Sequence, residues 1–467
     1  MSRFLLIISA LFGLIFLHAC VDEQPKLAVV SIESAYTIEA TANRTLVRAV
    51  TRATTCPHVV FDNDVPVLMQ TRAQPAAVAS RDDNGQPVTK AAVFDVLTCE
   101  SEWKSGAKSA RVEGVTVPAP HAIHRIVIVS DTGCRMKASD NGFQNCNDAH
   151  AWPFAQVSAS AAALKPDLVL HLGDIDYRES PCPEGNNGCA NSPWGYGYDT
   201  WKADLFEPAK PLLQAAPWIF VRGNHESCSR AGQGWFRFAD VQPWSEARSC
   251  NSAAQDALAD YSEPFAVNIA PNLNFIIFDS SRAPSKALSP KDPAFQKYAA
   301  EMQDVAQLAQ QKPHNFFLSH HPVLGFGLPE KAEKGGGIKP GNLALQSVLK
   351  TTEPKRLFPD AIDLTISGHI HLFETIGFAT PHPVALVMGN SGSLNEGHLP
   401  EKIPAGVEPY PGAVVEDFVT MADFGFATLD RADAQDDSRW TMTEYKADGT
   451  PVYRCDIVGS KTHCVKL

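Results

Sequence analysis

No two of the 11 cysteines stand in a C-x-x-C spacing, so a zinc cluster of paired thiolates is the weaker reading of them. Positive charge is also short: 40 Lys and Arg face 52 Asp and Glu, for a formal net charge of -12. With no basic patch above that background, the chain does not have the footprint of a general nucleic-acid binder. A small anionic substrate stays open, because a metal ion can dominate a local field. Nowhere is there an apolar run of the roughly 20 residues that a spanning helix needs. Solenoid-type repeats are missing. Gly335-Gly336-Gly337 lacks the lysine and serine that follow in a phosphate cradle, and reads as a flexible turn. What remains, at 467 residues, 44% hydrophobic and 20% charged, is a globular chain too long for one ordinary domain.

The N-terminus gives the cysteines their meaning. Met1-Ser2-Arg3 leads into a 14-residue apolar stretch, Phe4 to Leu17, and then His18-Ala19-Cys20. A basic start, a short apolar core and a small residue before a cut describe an export signal. Leu17-His18-Ala19-Cys20 resembles a bacterial lipobox, in which cleavage precedes the cysteine and its thiol is lipidated. His18 is an unusual occupant, and plain secretion and an uncleaved anchor stand as the other readings. Residues 1–20 are expected to be a signal peptide with a lipobox-like end, and 21–27 a short polar tether. The protein is expected to be exported, periplasmic or on the cell surface, and held to a bacterial membrane only through Cys20. Setting Cys20 aside leaves ten cysteines, an even number, as a disulfide framework requires. Closeness along the chain pairs Cys56 with Cys99, Cys134 with Cys146, Cys182 with Cys189, Cys228 with Cys250, and Cys455 with Cys464.

Residues 28–118 are rich in Val, Thr and Ala in short runs such as TLVRAVTRATT and AAVFDVLTCE, broken by turn signals such as Asp83-Asn84-Gly85. No long helical period occurs there, so a small β-sandwich is expected, closed by the stiff linker Val117-Pro118-Ala119-Pro120. Over 119–467 the pattern changes to strands alternating with helices. Seven runs read as strands: RIVIVSD, DLVLHLGD, PWIFVRGNH, NFIIFDS, NFFLSHHP, IDLTISGHIH and PVALVMGNSG. The clearest helix starts at Asp292-Pro293 and puts Phe295, Tyr298, Met302 and Val305 on one face. Such alternation predicts an α/β domain with strands buried on both faces, and FGFATLD, WTMTEYK and PVYRCDI read as strands that finish it.

Five of the seven runs stop in a potential metal ligand: Asp131; Asp174 with Tyr177 just beyond; Asn224 with His225; His320 with His321; and His369 with His371. Each alone is an ordinary turn former. Five in one series of strands are not, because groups beyond the carboxyl ends of such strands gather in one crevice. Carboxylate, imidazole, amide oxygen and phenolate suit iron, zinc or manganese.

Asp131-Thr132-Gly133, Gly173-Asp174-x-x-Tyr177, Gly223-Asn224-His225-Glu226, His320 and Gly368-His369-x-His371 occur in the order of the calcineurin-like metallophosphoesterase superfamily, which this sequence resembles over residues 131–371. Tyr177 makes it most similar to the purple acid phosphatase branch, and the exported β-rich N-terminal part is loosely similar to that branch too. Phe317-Leu318-Ser319 departs from the pattern, which usually has Val three residues ahead of the histidine. The resemblance implies an α/β fold, a β-sandwich flanked by helices in αββα layers, here preceded by the small all-β sandwich. It implies two metal ions bridged by Asp174. One is held also by Asp131, Tyr177 and His371, the other by Asn224, His320 and His369. A tyrosinate, with an ordinary pKa of about 10, calls for trivalent iron at its site; the second ion is iron, zinc or manganese.

Two cations roughly 3.5 to 4 Å apart neutralise phosphoryl oxygens and acidify a bound water. The implied reaction is acid phosphatase-like hydrolysis of phosphomonoesters by attack of a metal-bound hydroxide on a small phosphate ester. His225 is the candidate donor of a proton to the leaving alkoxide. His321 is a second candidate, with support of the neighbouring ligands as its equal alternative. A phosphodiesterase or nucleotidase of the same fold is the first rival; a non-catalytic surface-binding lipoprotein is the second. His171, inside its strand, reads as a core histidine. The loop from Arg178 to Trp201 is long enough to be functional, although two or three of its aromatics, Trp194, Tyr196, Tyr198 and Trp201, are expected simply to pack it down.

Overall fold

A computed structural model describes residues 31–41, 44–83, 86–87, 90–328, 337–395 and 397–467. The expected signal peptide, Cys20 and the tether lie outside the described residues, as do Asn84-Gly85 and Gly335-Gly336.

All seven runs are strands: Arg125–Val129, Leu168–His171, Trp218–Phe220, Leu273–Phe278, His314–Ser319, Ile362–Ser367 and Val384–Met388. The first three lie parallel in one sheet, with Ile126 opposite Leu168 and Val169 opposite Trp218. The other four lie parallel in a second sheet, with Leu273 opposite His314, Asn315 opposite Ile362 and Leu364 opposite Val384. The C-terminal strands Gly425–Arg431, Arg439–Lys446 and Pro451–Val458 continue the first sheet antiparallel from Arg125–Val129.

The two sheets face one another across an apolar layer in which Ile126, Ile128 and Leu170 meet Phe275, Phe316 and Leu364. Helices cover the outer faces. Phe154–Ala163 and Gly232–Phe238 lie over the first sheet. Pro293–Ala309 and Leu343–Leu349 lie over the second. The helix at Pro293 starts as its sequence predicts, with proline in the first turn after Asp292, and buries Phe295, Tyr298, Met302 and Val305. Four layers leave both parallel sheets covered on both faces, as strands this apolar require. Among the described residues no helix is long and apolar enough to cross a membrane.

The N-terminal part is all β. Its strands Ile32–Glu39, Thr45–Thr51, Gln70–Ala73 and Leu97–Glu102 face the smaller sheet of His58–Phe61, Ala110–Val112 and Val115–Val117. Between them lie Val47, Ala49, Val59, Phe61, Leu97 and Val112. This sandwich is not free-standing. Ile32–Glu39 pairs in parallel with Trp218–Phe220, Ile38 opposite Trp218, so one of its sheets and the first large sheet are a single hydrogen-bonded series of 11 strands. Pairing satisfies backbone groups that two bare sheet edges would leave open. The fully buried side chains of Tyr36 and Arg48 seal the junction, donating to the Phe238 carbonyl at 2.8 and 3.0 Å. The linker at 117–120 marks a change of pattern along the chain and no gap in the sheet.

All five cysteine pairs expected from closeness along the chain are disulfides. In the loop from Arg178 to Trp201, Tyr196, Tyr198 and Trp201 are buried in the core over the first sheet. Half-buried Trp194 lies 5.5 Å from the Lys90 ammonium. Three of the four aromatics therefore pack the loop down.

Glu301, on the buried face of the helix Pro293–Ala309, has a side-chain oxygen with no hydrogen-bond partner. Burial first, and the neighbouring Asp279 next, push its carboxyl up to about 9. The unfolded chain ionises this group near 4.5 whereas the folded chain keeps the proton to about 9, so its contribution to stability falls as pH rises across that window. Glu301→Gln is expected to raise the urea midpoint, more at pH 8 than at pH 5. Equal midpoints at both values would contradict this.

Candidate active site

Parallel strands deliver their ends to one side. Asp131, Asp174 and Asn224 follow the three parallel strands of the first sheet, and His320, His369 and His371 follow two neighbouring strands of the second. All seven expected ligands, with His225 and His321, come together there. Asp131, Asp174 and His369 adopt left-handed backbone, with φ of 53°, 56° and 73°. Such conformations cost a non-glycine residue on the order of 1 to 3 kcal/mol and persist where the surroundings over-determine them. Gly173 explains one part of the motif: at φ +100° its backbone presses on the next loop, and a Cβ there would lie 2.6 Å from the Gly223 nitrogen.

The side chains form two linked sets. In the first, the Tyr177 hydroxyl lies 2.8 Å from Asp131 Oδ1, 2.9 Å from His371 Nε2 and 3.0 Å from Asp174 Oδ2. In the second, Asn224 Oδ1 lies 3.1 Å from His320 Nε2 and 3.0 Å from His369 Nδ1. Asp174 Oδ2 joins them, 3.1 Å from His320 Nε2. One ligand atom each from Asp174, His320 and His369 lie within 4.8 Å of one another.

The donors converge with their lone pairs. His320 Nδ1 faces the Leu172 carbonyl at 2.8 Å and His371 Nδ1 the Leu394 carbonyl at 2.6 Å. Carbonyls only accept, so the ring protons sit there and each Nε2 offers a lone pair. Those nitrogens meet oxygens of Asp174, Asn224 and Asp131, an arrangement that a bound cation satisfies through the lone pairs and that a second proton on the ring satisfies without one. Burial opposes charge on His320, yet the Asp174 carboxylate draws its pKa up to about 9. Burial, Asp131 and Asp174 hold the Tyr177 phenol well above its usual range, so only a strong local positive charge makes a phenolate of it. The residues fit a pair of metal ions.

Outer groups aim these donors. Asp131 Oδ2 accepts from Ser130 Oγ and the His369 N–H at 2.7 and 2.9 Å, turning Oδ1 towards Tyr177. Asp174 Oδ1 accepts the His225 N–H at 2.7 Å, which frees Oδ2. Glu226 received no role from the sequence although it closes the Gly-Asn-His-Glu motif. Fully buried, it accepts the backbone N–H groups of Asp174, Ile175, Asp176 and Gly223 at 2.7 to 3.2 Å, tying two ligand loops together.

His225 lies over the Tyr177 ring, centroids 3.8 Å apart, with Nε2 3.8 Å from Asp174 Oδ2. Its Nδ1 lies 2.8 Å from Glu179 Oε1, and Glu179 is paired in turn with Arg230. Glu179, two residues beyond Tyr177, carried no sequence signal beyond its place in the motif loop. His321 is buried, its ring 4.1 Å from that of His369. His171 is a core residue, fully buried, 3.0 Å from Thr132 Oγ1 and packed on Trp218 and Phe220.

Glu226→Gln would set an amide donor against backbone donors and loosen both loops. It is expected to lower metal affinity about 10- to 100-fold, as for other outer supports of a metal centre. Metal titration monitored by bound ion per chain reads the change, and affinity equal to that of the unaltered chain would contradict the role assigned to Glu226.

A family model for calcineurin-like phosphoesterases matches residues 124–373, more than half of the 467 residues. The fold is similar to that of a purple acid phosphatase from yellow lupin (Lupinus luteus) seeds, with TM-score 0.52, 13% identity, and 92% of this chain and 74% of that one covered. It is also similar to that of PhoD, with TM-score 0.55, 10% identity, and 93% and 92% covered. At such identities the likeness is one of fold. No curated protein sequence matches the chain. Over the residues that bring the strand ends together, the chain belongs to the calcineurin-like phosphoesterase family, and it is a phosphoester hydrolase.

Proposed function

We propose that the chain is an exported, dinuclear metallophosphoesterase that hydrolyses small phosphomonoesters. The observation that carries this is Asp174, whose Oδ2 lies between two donor sets, 3.0 Å from the Tyr177 hydroxyl and 3.1 Å from His320 Nε2. Asp131, Asp174, Tyr177 and His371 would hold one ion, and Asp174, Asn224, His320 and His369 the other. The phenol at the first site favours iron there, and the second donor set suits iron, zinc or manganese. Two bound cations would neutralise the phosphoryl oxygens and acidify a water.

The protein's own part is proton transfer and orientation. As the bond from phosphorus to the leaving oxygen breaks, His225 gives that oxygen a proton. Glu179, Arg230 and the Asp176 carbonyl, at 2.8, 2.6 and 3.1 Å from Nδ1, hold the ring and leave Nε2 towards the site. His321, against the second donor set, is the other candidate donor. Five disulfides support an oxidising, exported setting, with an anchor at Cys20 as its membrane attachment. A net charge of -12 favours small esters over nucleic acid. A phosphodiesterase or nucleotidase would use the same donors, since these residues set the metals and not the leaving group.

A soluble chain beginning after Cys20 is expected to purify with near two ions and to cleave an aryl phosphate monoester faster than the matching diester. Asp174→Asn and His369→Ala are each expected to lose bound metal and about 100-fold or more in kcat/KM, beyond the effect of an outer support. Full metal content and full hydrolysis in both variants would refute the assignment. Preference for the diester would move it to the rival activity.

A further inference from the structure

Asp204 belongs to none of the ligand motifs, yet it is fully buried against two of them. Its Oδ1 accepts the backbone N–H of Cys134 at 3.2 Å and its Oδ2 that of Tyr177 at 3.1 Å. Cys134 lies three residues beyond Asp131, in the loop that ends the first strand. Backbone bonds join the two loops on either side of this point. The Thr132 N–H donates to the Asp174 carbonyl at 3.2 Å and the Met136 N–H to the Tyr177 carbonyl at 2.9 Å. Between those bonds the loops present two donors, which cannot satisfy each other, so an acceptor has to come from elsewhere in the chain. A backbone N–H only donates, and the direction of both bonds to Asp204 is therefore fixed.

The fold delivers that acceptor by an irregular turn. After the helical turn Tyr198–Trp201 the chain runs as a π-helix over Lys202–Phe206, a form that is uncommon and often found at functional sites. Trp201, Leu205 and Phe206 pack into the core over the first sheet, and Asp204 is left for the loops. The first loop has a glycine where the carboxylate arrives: a Cβ on Gly133 would lie 2.7 Å from Asp204 Oδ2. Arg178, next to Tyr177, donates from Nε to Asp204 Oδ1 at 2.6 Å, and its guanidinium lies 5.0 Å from the centre of the Trp152 ring. Trp152 Nε1 in turn donates to the Thr132 carbonyl at 2.9 Å. These contacts fall on the loops that carry Asp131 and Tyr177. Glu226 holds instead the N–H of Asp174 itself and that of Gly223, beside Asn224.

Resting on the dinuclear reading above, we propose that Asp204 is a positioning residue of the first metal site, where it sets the Tyr177 phenol against the Asp131 carboxylate by holding the backbone of both loops. The two tying carboxylates then divide the site between them, Glu226 serving the loops of Asp174 and Asn224, and Asp204 those of Asp131 and Tyr177. Loss of Asp204 loosens the first ion and spares the second. A carboxylate that served only the general stability of the fold would affect both ions alike, or neither.

The test loads the full chain with ferric iron and then zinc. A phenolate on ferric iron absorbs in the visible, so this band reports Tyr177 at its ion. Asp204→Asn keeps the shape of the side chain but turns an amide N–H2 towards a donor. It is expected to weaken ferric iron about 10- to 100-fold in competition with a chelator, as for other outer supports of a metal centre, and to shift or bleach the band, with zinc held as in the unaltered chain. Arg178→Gln leaves the carboxylate in place and is expected to lose iron affinity in the same direction and less, so the outcome does not hang on the folding of one variant. Unchanged iron affinity and band in Asp204→Asn overturn the proposal, as does an equal fall for iron and zinc. Iron taken up by the unaltered chain with no phenolate band would count against the dinuclear reading instead. Amide hydrogen exchange then decides the role of Asp204: faster exchange at Cys134 and Tyr177 in Asp204→Asn supports the tie between the loops, and equal rates overturn it.

Discussion

The carboxylate of Glu226 is the tie on which the site depends. It collects four backbone N–H groups from the loops that end two adjacent strands, and no water competes for it because it is fully buried. Those loops carry Asp174, Tyr177, Asn224 and His225. A single side chain thereby converts two strand ends into one rigid surface. The close approach of Gly173 to Gly223 is part of the same contact: the loops can be tied only where neither has a Cβ in the way. Burying a carboxylate is costly unless its oxygens are filled, and here backbone donors fill them.

A second constraint runs across the two sheets. Asp131, Asp174, Tyr177 and Asn224 come from the first sheet, His320, His369 and His371 from the second, and their lone pairs face each other in the gap. The apolar layer of Ile126, Leu170, Phe275 and Phe316 sets the spacing of the sheets, and so sets the spacing of the donors. Core packing and site geometry are in this sense the same quantity, since a core side chain of the wrong size would alter the distance between Asn224 and His320.

Much of this was legible in the sequence because it is local. Strand runs such as RIVIV and LTIS are β-branched and end in Gly, Asp or His, so element type and the residues that the structure gathers at the candidate site lie within a few positions of each other. The five disulfides are legible for a similar reason, each joining cysteines that neighbour one another along the chain. What was not legible is long-range. Nothing in Ile32–Glu39 announces that it pairs with Trp218–Phe220, and without that the N-terminal part reads as a separate sandwich. Glu226 was visible as a letter in a motif, but its four partners lie at Gly223 and around Asp174. The meeting of Asp204 with Tyr177 and Cys134 spans 27 and 70 residues, for which the sequence has no periodic signal.

The left-handed backbone at Asp131, Asp174 and His369 bears on the history of the site. Glycine would relieve each position of about 1 kcal/mol or more, so a lineage released from chemistry would gain stability by giving these side chains up. A binding protein descended from such an enzyme would drift towards relaxed turns at these three points. This chain keeps Asp, Asp and His at the three points, where the proposed metal site would use them, although left-handed backbone also occurs away from the site, as at Lys165 and Leu357.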